Sequence, residues 1–134
     1  MRRNLTTLFL IAAIGLVAAL SASAGSRSSI SLVVPTAAGA AATSAPQFGT
    51  QVTFAVTTTA TAYPWVDTKC SQNGELVYEQ WAGFFDGYVG SDMFTLGPTA
   101  LWSGGAASCT ATLVTFDRNG RAAKLASTSF NVVG

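Results

Sequence analysis

The sequence predicts an all-β protein, an antiparallel Greek-key β-sandwich of about seven strands braced by one disulfide. Three observations lead to this fold class. Short stretches of alternating apolar and polar residues recur along the chain, turn-forming residues separate them, and no convincing amphipathic helix interrupts them. In addition, two cysteines in a chain that begins with an export signal are most simply paired with each other.

The N-terminal residues have the order of a secretory signal peptide. Arg2 and Arg3 precede an uncharged apolar run over residues 8–20, and small residues at 22–24 form a cleavage site. The run is too short to span a bilayer, because a transmembrane helix needs about 20 apolar residues. We therefore expect residues 1–24 to be a signal peptide. Residues 25–134 are then one mature domain that is secreted or extracellular, free or held at the cell surface, with no transmembrane segment.

Removal of the signal peptide changes the charge balance. The whole chain has a formal net charge of +1, and the residues after position 24 comprise five basic and six acidic side chains, which gives −1. No basic patch remains that could neutralise a row of phosphates. The sequence therefore argues against nucleic acid as a partner.

The strands are predicted from the apolar alternation in chain order. The first strand covers about residues 29–34 and ends at Pro35, since proline cannot donate to a sheet ladder. A low-complexity stretch rich in Ala, Ser and Thr follows at residues 36–49 and predicts a long flexible connection. Further strands are expected at about 51–57, 63–70, 75–81, 92–97, 107–117 and 122–133.

Two Asn-Gly pairs predict two-residue hairpin loops and thereby fix the strand register. Asn73-Gly74 and Asn119-Gly120 both suit a turn in which the two central residues take positive φ. Counting outward from the second turn gives the expected partners of the last hairpin, which are Phe116 with Ala123, Val114 with Leu125, Leu113 with Ala126, and Cys109 with Phe130.

The disulfide gives a second register. A bridge between Cys70 and Cys109 directly across neighbouring antiparallel strands places Val66 opposite Leu113. Both registers then turn the same residues inward and Trp65 outward. By the chain-entropy estimate, closing this loop contributes about 4 kcal/mol to stability.

Three stretches carry a resemblance to a known family. They are FGTQVTF at 48–54, WVDTKC at 65–70 followed by QNG, and WSGGAASCTATL at 102–113. With these stretches the chain resembles a bacterial immunoglobulin-like or fibronectin-type-III-like domain of secreted and surface proteins, over about residues 28–134. The resemblance implies an immunoglobulin-like sandwich that serves adhesion, spacing or recognition. It transfers no binding residues, because the likeness is architectural.

The sequence gives no support for catalysis. It has no histidine, which removes Ser-His-Asp and Cys-His mechanisms and most zinc sites. The carboxylate pairs Glu75 with Glu79 and Asp86 with Asp92 have no spacing that makes them converge. The second pair could hold calcium, but its loop lacks a recognisable ligand repeat. We therefore expect a protein that is not an enzyme and has no cofactor or metal site.

The register leaves an outward apolar row as the first candidate interaction surface. Trp65, Val114 and Leu125 form this row, and Phe116 extends it toward the hairpin tip. Contiguous apolar patches usually mark interaction sites, so the row predicts a face that contacts another protein or a second copy of the chain. The alternatives are that the N-terminal segment covers the row, or that these residues are tolerated singly on the surface.

A second candidate surface is the aromatic stretch with Trp81, Phe84, Phe85 and Tyr88. Rings on sandwich loops can stack on sugars, which would make the protein a carbohydrate-binding module. The alternative is that Trp81, Phe84 and Phe85 close the open edge between the sheets. Trp102 is likewise expected to lie at a corner of the core and not to contact a ligand. The leading function hypothesis is a secreted, non-catalytic recognition or structural module that acts through protein contacts, with carbohydrate binding as the alternative.

Overall fold

The computed structural model describes residues 27–37 and 44–134. The signal-peptide prediction for residues 1–24 lies outside these described residues. The described chain forms two antiparallel sheets and contains no helix long and apolar enough to cross a membrane. Its seven strands are β1 (Ser28–Val33), β2 (Gln51–Thr58), β3 (Trp65–Gln72), β4 (Glu75–Gly83), β5 (Phe94–Thr95), β6 (Ala107–Phe116) and β7 (Ala122–Val132).

One sheet has three strands in the order β1-β2-β5, and the other has four in the order β4-β3-β6-β7. The chain crosses between the sheets after β2, after β4 and after β5, so β3 pairs with β6 rather than only with its neighbours in sequence. The inner faces enclose one apolar core, which includes Val52, Phe54, Val66, Phe94 and Leu113. The predicted seven-stranded antiparallel sandwich is therefore confirmed.

The disulfide lies within the four-stranded sheet, as predicted. Cys70 pairs with Cys109 and Val66 with Leu113 in the β3–β6 ladder. The cysteine Cα atoms are 4.0 Å apart, and both cysteines are buried. The bridge therefore connects the two central strands of this sheet on the side that faces the core.

The first Asn-Gly turn also forms as predicted. Gln72 pairs with Glu75, so the loop has two residues, Asn73 and Gly74, with φ of 52° and 82°. Asparagine and glycine are the residues that tolerate this left-handed conformation. The turn therefore sets the β3–β4 register from its tip.

The β6–β7 register is confirmed over its first part and wrong near the hairpin. Cys109 pairs with Phe130 and Leu113 with Ala126, but Val114 pairs with Lys124 rather than Leu125, and Phe116 with Ala122 rather than Ala123. The ladder shifts by one residue at a bulge after Leu113, because the extra residue on β7 has no partner of its own.

The second Asn-Gly turn is longer than predicted, and this accounts for the shift. The Asp117 N–H donates to the Arg121 carbonyl at 2.9 Å, which leaves a three-residue loop. Only Gly120 in this loop has a positive φ, of 74°. Such a loop shifts the pairing of β6 with β7 by one residue relative to a two-residue turn. Beyond the bulge the two strands return to the predicted register, in which Cys109 pairs with Phe130.

The end of the predicted flexible connection is anchored to the sandwich. The Phe48 N–H donates to the Val133 carbonyl at 2.8 Å, and the Val133 N–H donates to the Pro46 carbonyl at 2.9 Å. The Phe48 ring packs edge-on against Trp102 with centroids 5.1 Å apart. Trp102 is 0% exposed, which confirms its interpretation as a core corner.

Candidate functional site

The outer face of the four-stranded sheet carries a cluster of aromatic rings, here called the aromatic patch. It lies at the end of the sheet where β3 begins and where β4 and β6 end. Each ring has its centroid within 6.4 Å of another ring of the cluster. The members are Tyr63, Trp65, Trp81, Phe85, Tyr88 and Phe116.

Trp65 occupies the centre of the patch because of its place in the ladder. It pairs with Gly83 on β4 and with Val114 on β6. Gly83 has no side chain, and a Cβ built there would come within 2.6 Å of Phe85 and 2.7 Å of Tyr88. These two rings therefore use the space above the glycine and pack edge-on against Trp65, at 5.7 and 5.4 Å between centroids.

Trp81 and Phe116 meet across the strand that separates them. Trp81 is on β4 and Phe116 on β6, yet their centroids are 5.9 Å apart, so their rings reach over β3. Asp67 on β3 pairs with Trp81 and points to the same face. The rings above it explain why Asp67 is only 7% exposed, although it lies on the outside of the sandwich.

The buried carboxylate of Asp67 is incompletely paired. Its Oδ2 lies 3.4 Å from the Lys69 ammonium, while Oδ1 has no hydrogen-bond partner among the described residues. Burial raises the pKa of Asp67 above its ordinary value, and the nearby Glu79 carboxylate raises it further, against the lowering effect of Lys69. Asp67 in turn is the main cause that raises the pKa of Lys69.

Glu79 fixes the orientation of Trp81. The Trp81 indole Nε1 donates to the Glu79 carboxylate at 3.2 Å, and the same carboxylate lies 3.7 Å from Lys69. A tryptophan N–H normally finds a partner when its ring is half-buried. The acidic group thus holds the ring in place and satisfies its donor.

Three rings of the aromatic patch are open to solvent. Tyr63 is 65% exposed, Phe116 43% and Trp81 39%. Trp65, Phe85 and Tyr88 are half-buried and support them. The patch therefore presents exposed aromatic surface on the outer face of the sheet, separate from the core between the sheets.

The predicted protein-contact face is partly reproduced by the structure. Trp65, Val114 and Phe116 do lie on the outer face, but Val114 is buried at 4% exposure and leaves little surface of its own. Leu125 does not belong to this row, because the bulge turns it toward the core cluster, against which it packs. A role of these residues in binding a protein remains a prediction.

The predicted carbohydrate-contact residues separate into two groups. Trp81, Phe85 and Tyr88 belong to the aromatic patch, whereas Phe84 points inward and packs against Phe94 and Phe54, at 6.4 and 6.5 Å between centroids. Among these four residues, Phe84 is thus the one that packs between the two sheets. Sugar binding by the other three remains a prediction.

Sequence reasoning missed Tyr63 and Asp67 as members of this site. The signal that could have found them is the strand period of two, because Tyr63, Trp65 and Asp67 alternate along one face. Tyr63 lies in the loop before β3 and contacts Phe85 at 5.3 Å. With both residues included, the two predicted surfaces become one continuous surface.

A small cleft opens beside the aromatic patch. It has a volume of about 390 Å³ and is lined by Gly83, Phe84, Phe85, Asp86, Tyr88, Gly90 and Asp92. The described residues contain no group of three or more histidines, cysteines and acids that could hold a metal ion. The cleft is thus lined by aromatic residues and by two acidic residues, Asp86 and Asp92.

Comparison with family models, with curated proteins and with solved structures found no match to this chain.

Proposed function

We propose that the protein is a secreted, non-catalytic recognition or structural module that acts through protein contacts, with the aromatic patch as its contact surface. The observation that carries the proposal is the position of three exposed rings, Tyr63, Trp81 and Phe116, in one contiguous cluster on a sheet face. An outward sheet face is ordinarily polar. Exposed clusters of tryptophan, tyrosine and phenylalanine are typical of interface centres.

The rigidity of the aromatic patch supports this proposal. Trp81 is held by Glu79, and Trp65 is enclosed by Phe85 and Tyr88 on one side and Phe116 on the other. Rings that are already ordered lose little side-chain freedom when a partner binds. A fixed aromatic surface therefore favours recognition of a protein over a merely tolerated set of exposed residues.

Export and the immunoglobulin-like resemblance are part of the same proposal. The Cys70–Cys109 bridge is buried and complete, and such bonds persist in oxidising compartments. The division into sheets of three and four strands, with β3 paired to β6, supports an immunoglobulin-like or fibronectin-type-III-like arrangement. Domains of this kind serve adhesion, spacing or recognition outside the cell.

Affinity capture with a matched control tests the proposed function. The oxidised protein and its Trp81→Ser, Phe116→Ser double variant are immobilised and exposed to the extracellular and surface proteins of the cells that produce it. Leu101→Ser is the control, since Leu101 is 71% exposed and lies in the loop before β6, at the opposite end of the sandwich. We expect a saturable partner retained by the wild type and the control but lost from the double variant. Equal retention by all three proteins would exclude the patch as the contact surface.

Carbohydrate binding is the second candidate, and the cleft beside the patch favours it. Phe85 and Tyr88 line this cleft together with Asp86 and Asp92. Glycan-array screening of the wild type, Asp86→Ala and the control Glu75→Ala decides this candidate. Binding that is lost only in Asp86→Ala supports it, and an array without any bound glycan removes it.

A further inference from the structure

The two carboxylates beside the aromatic patch have more acceptor atoms than donors. The Trp81 indole N–H and the Lys69 ammonium both contact the Oε1 oxygen of Glu79, at 3.2 and 3.7 Å. The Oε2 oxygen of Glu79 has no hydrogen bond or ion pair with the residues that the structure describes. The Oδ1 oxygen of Asp67 likewise has no hydrogen-bond partner among them. Two carboxylate oxygens at the patch therefore lack a donor within the described chain.

The lack of a donor matters most at Asp67, because its side chain is buried. This side chain is 9% exposed, and the single ammonium of Lys69 is shared between Asp67 and Glu79. A buried carboxylate is unfavourable unless positive charge and hydrogen-bond donors compensate for it. The described residues provide this compensation only in part, which favours a ligand that brings positive charge.

The strands that carry these carboxylates have an excess of negative charge. Together β3 and β4 contain three acidic side chains and one basic side chain, namely Asp67, Glu75, Glu79 and Lys69. Lys124 on β7 pairs with Val114, and three strand spacings separate β7 from the strand of Trp81. Three spacings amount to about 14 Å, which exceeds the Debye length of about 8 Å at physiological salt. The potential around Trp81 is therefore negative.

The surroundings of Trp81 suit its ring to a cation. The ring is 39% exposed, and its N–H donates to the carboxylate of Glu79. A cation over an aromatic face is attracted by the negative charge of the π system, and tryptophan attracts it most strongly among the aromatic side chains. The carboxylate adds negative charge directly beside this ring. A cation that contacts the exposed part of Trp81 thus meets a ring and an anion together.

We propose that the aromatic patch binds an arginine side chain of its partner protein, with the guanidinium stacked on Trp81 and paired with the Oε2 oxygen of Glu79. The inference rests on the proposed function and names the chemistry of the partner's contact residue. A guanidinium is planar, always charged and weakly hydrated, so it can stack on a ring and donate to a carboxylate at the same time. A lysine ammonium is a compact and strongly hydrated charge, which fits this pair of contacts less well.

Titration with capped single amino acids, followed by NMR, tests the inference. The oxidised protein is expressed from its full coding sequence and isotope-labelled, and the Trp81→Phe variant assigns the indole N–H signal of Trp81. The probes are the N-acetyl methylamides of arginine, of lysine and of citrulline, which has the shape of arginine without its charge, all at one ionic strength. We expect arginine to shift the Trp81 signal along a curve that saturates, with a dissociation constant at least about threefold lower than that of lysine. Citrulline should give no such curve.

Two variants of equal shape separate the negative charge from the position of the ring. Glu79→Gln retains a side-chain oxygen that can accept the Trp81 indole N–H, but it removes the charge and should weaken arginine binding at least about threefold. Asp67→Asn should weaken it to a smaller extent, because the buried carboxylate acts on the guanidinium without direct contact. Glu75→Gln, the same change at the start of β4 away from the patch, should leave arginine binding unchanged. The other indole signals report whether each variant is folded.

Three results overturn the inference. They are an unresponsive Trp81 signal, equal binding of arginine with citrulline or with lysine, and arginine binding that neither Glu79→Gln nor Asp67→Asn weakens. Each is distinct from failure of the proposed function, which is judged by equal retention of proteins on the wild type and the Trp81→Ser, Phe116→Ser variant. A partner captured through the patch by a protein that does not bind arginine would keep the contact surface and refute its arginine ligand.

Discussion

Two sets of aromatic rings lie on opposite sides of the same four-stranded sheet, and they differ in composition and in exposure. The inner rings that pack around Phe54 and Phe94 are all phenylalanines, namely Phe54, Phe84, Phe94 and Phe130, while Tyr78 and Trp102 form a separate buried pair. The aromatic patch on the outer face has two tryptophans and two tyrosines beside its two phenylalanines, and three of its rings are open to solvent. Tryptophan and tyrosine combine an apolar body with a polar group, which suits a surface that is partly wet.

This difference indicates separate roles for the two sets. The core rings hold the two sheets together, because they connect β2 and β5 with β7 and with the residues after β4. The rings of the patch contact only one another on the outer face and in the adjoining loops. The two sheets can therefore pack together while the patch stays partly exposed. The predictions below separate stability, which should depend on the core, from association, which should depend on the patch.

The largest expected effect is the loss of a core ring. Phe94 is 0% exposed and packs edge-on against Phe54 at 5.3 Å. Phe94→Ala should lower the free energy of unfolding by about 3–5 kcal/mol, because it removes apolar burial and leaves a cavity. Urea denaturation followed by tryptophan fluorescence measures this loss. A loss below about 1 kcal/mol would show that the inner rings are not the main contact between the sheets.

The disulfide should contribute nearly as much as a core ring. It closes a loop with a sequence separation of 39 residues, for which the chain-entropy estimate is about 4 kcal/mol. The Cys70→Ala, Cys109→Ala double variant should lose stability of this order without losing its patch. Urea denaturation compared with partner binding checks both parts, and binding lost under conditions where the variant is folded would contradict the separation.

A single ring of the patch should matter less to stability. Trp81 is 39% exposed, so Trp81→Ala removes part of a buried ring and re-exposes Asp67 to water, which offsets some of the loss. We expect a fall of about 1–2 kcal/mol in the free energy of unfolding. The same urea titration as for Phe94→Ala gives the direct comparison. A loss as large as that of Phe94→Ala would make the patch a second core.

The smallest expected effect is a pH dependence of stability due to Asp67. Its pKa is raised in the folded state, so the folded chain binds the proton more tightly than the unfolded chain does. Stability from this group is therefore greatest below its ordinary value of 3.8 and falls as pH rises through the raised pKa. Asp67→Asn should flatten the curve of unfolding free energy against pH in this window, and an unchanged curve would contradict the burial of a charged group under Trp81.

The sequence was sufficient to predict the sandwich and the central register. Cys70 and Cys109 had to face each other on neighbouring strands, and the alternation around them identified Val66 and Leu113 as inward. The Asn73-Gly74 turn agreed, because both of its residues take the positive φ that the pair favours. A two-residue turn depends on its own residues, and a disulfide restricts the distance between its two cysteines. Both can therefore be predicted from the sequence.

The outer site could be predicted only in part, because two of its features depend on one-residue differences. The Asn119-Gly120 turn forms a three-residue loop, and the compensating bulge turns Leu125 from the outer face to the core. Phe84 and Phe85 are neighbours in sequence but point to opposite sides of the sheet. The joining of two predicted surfaces into one depends on Gly83, whose missing side chain lets Phe85 and Tyr88 reach Trp65.

Site-specific photo-crosslinking tests most directly whether the aromatic patch is a contact surface. A photoreactive phenylalanine analogue placed at Phe116 should yield a covalent adduct with a second copy of the chain or with another extracellular protein when the producing cells are irradiated. The same analogue at Leu101, which is exposed at the opposite end of the sandwich, should yield none. Equal crosslinking at the two positions, or none at Phe116, would contradict the assignment of the patch as the contact surface.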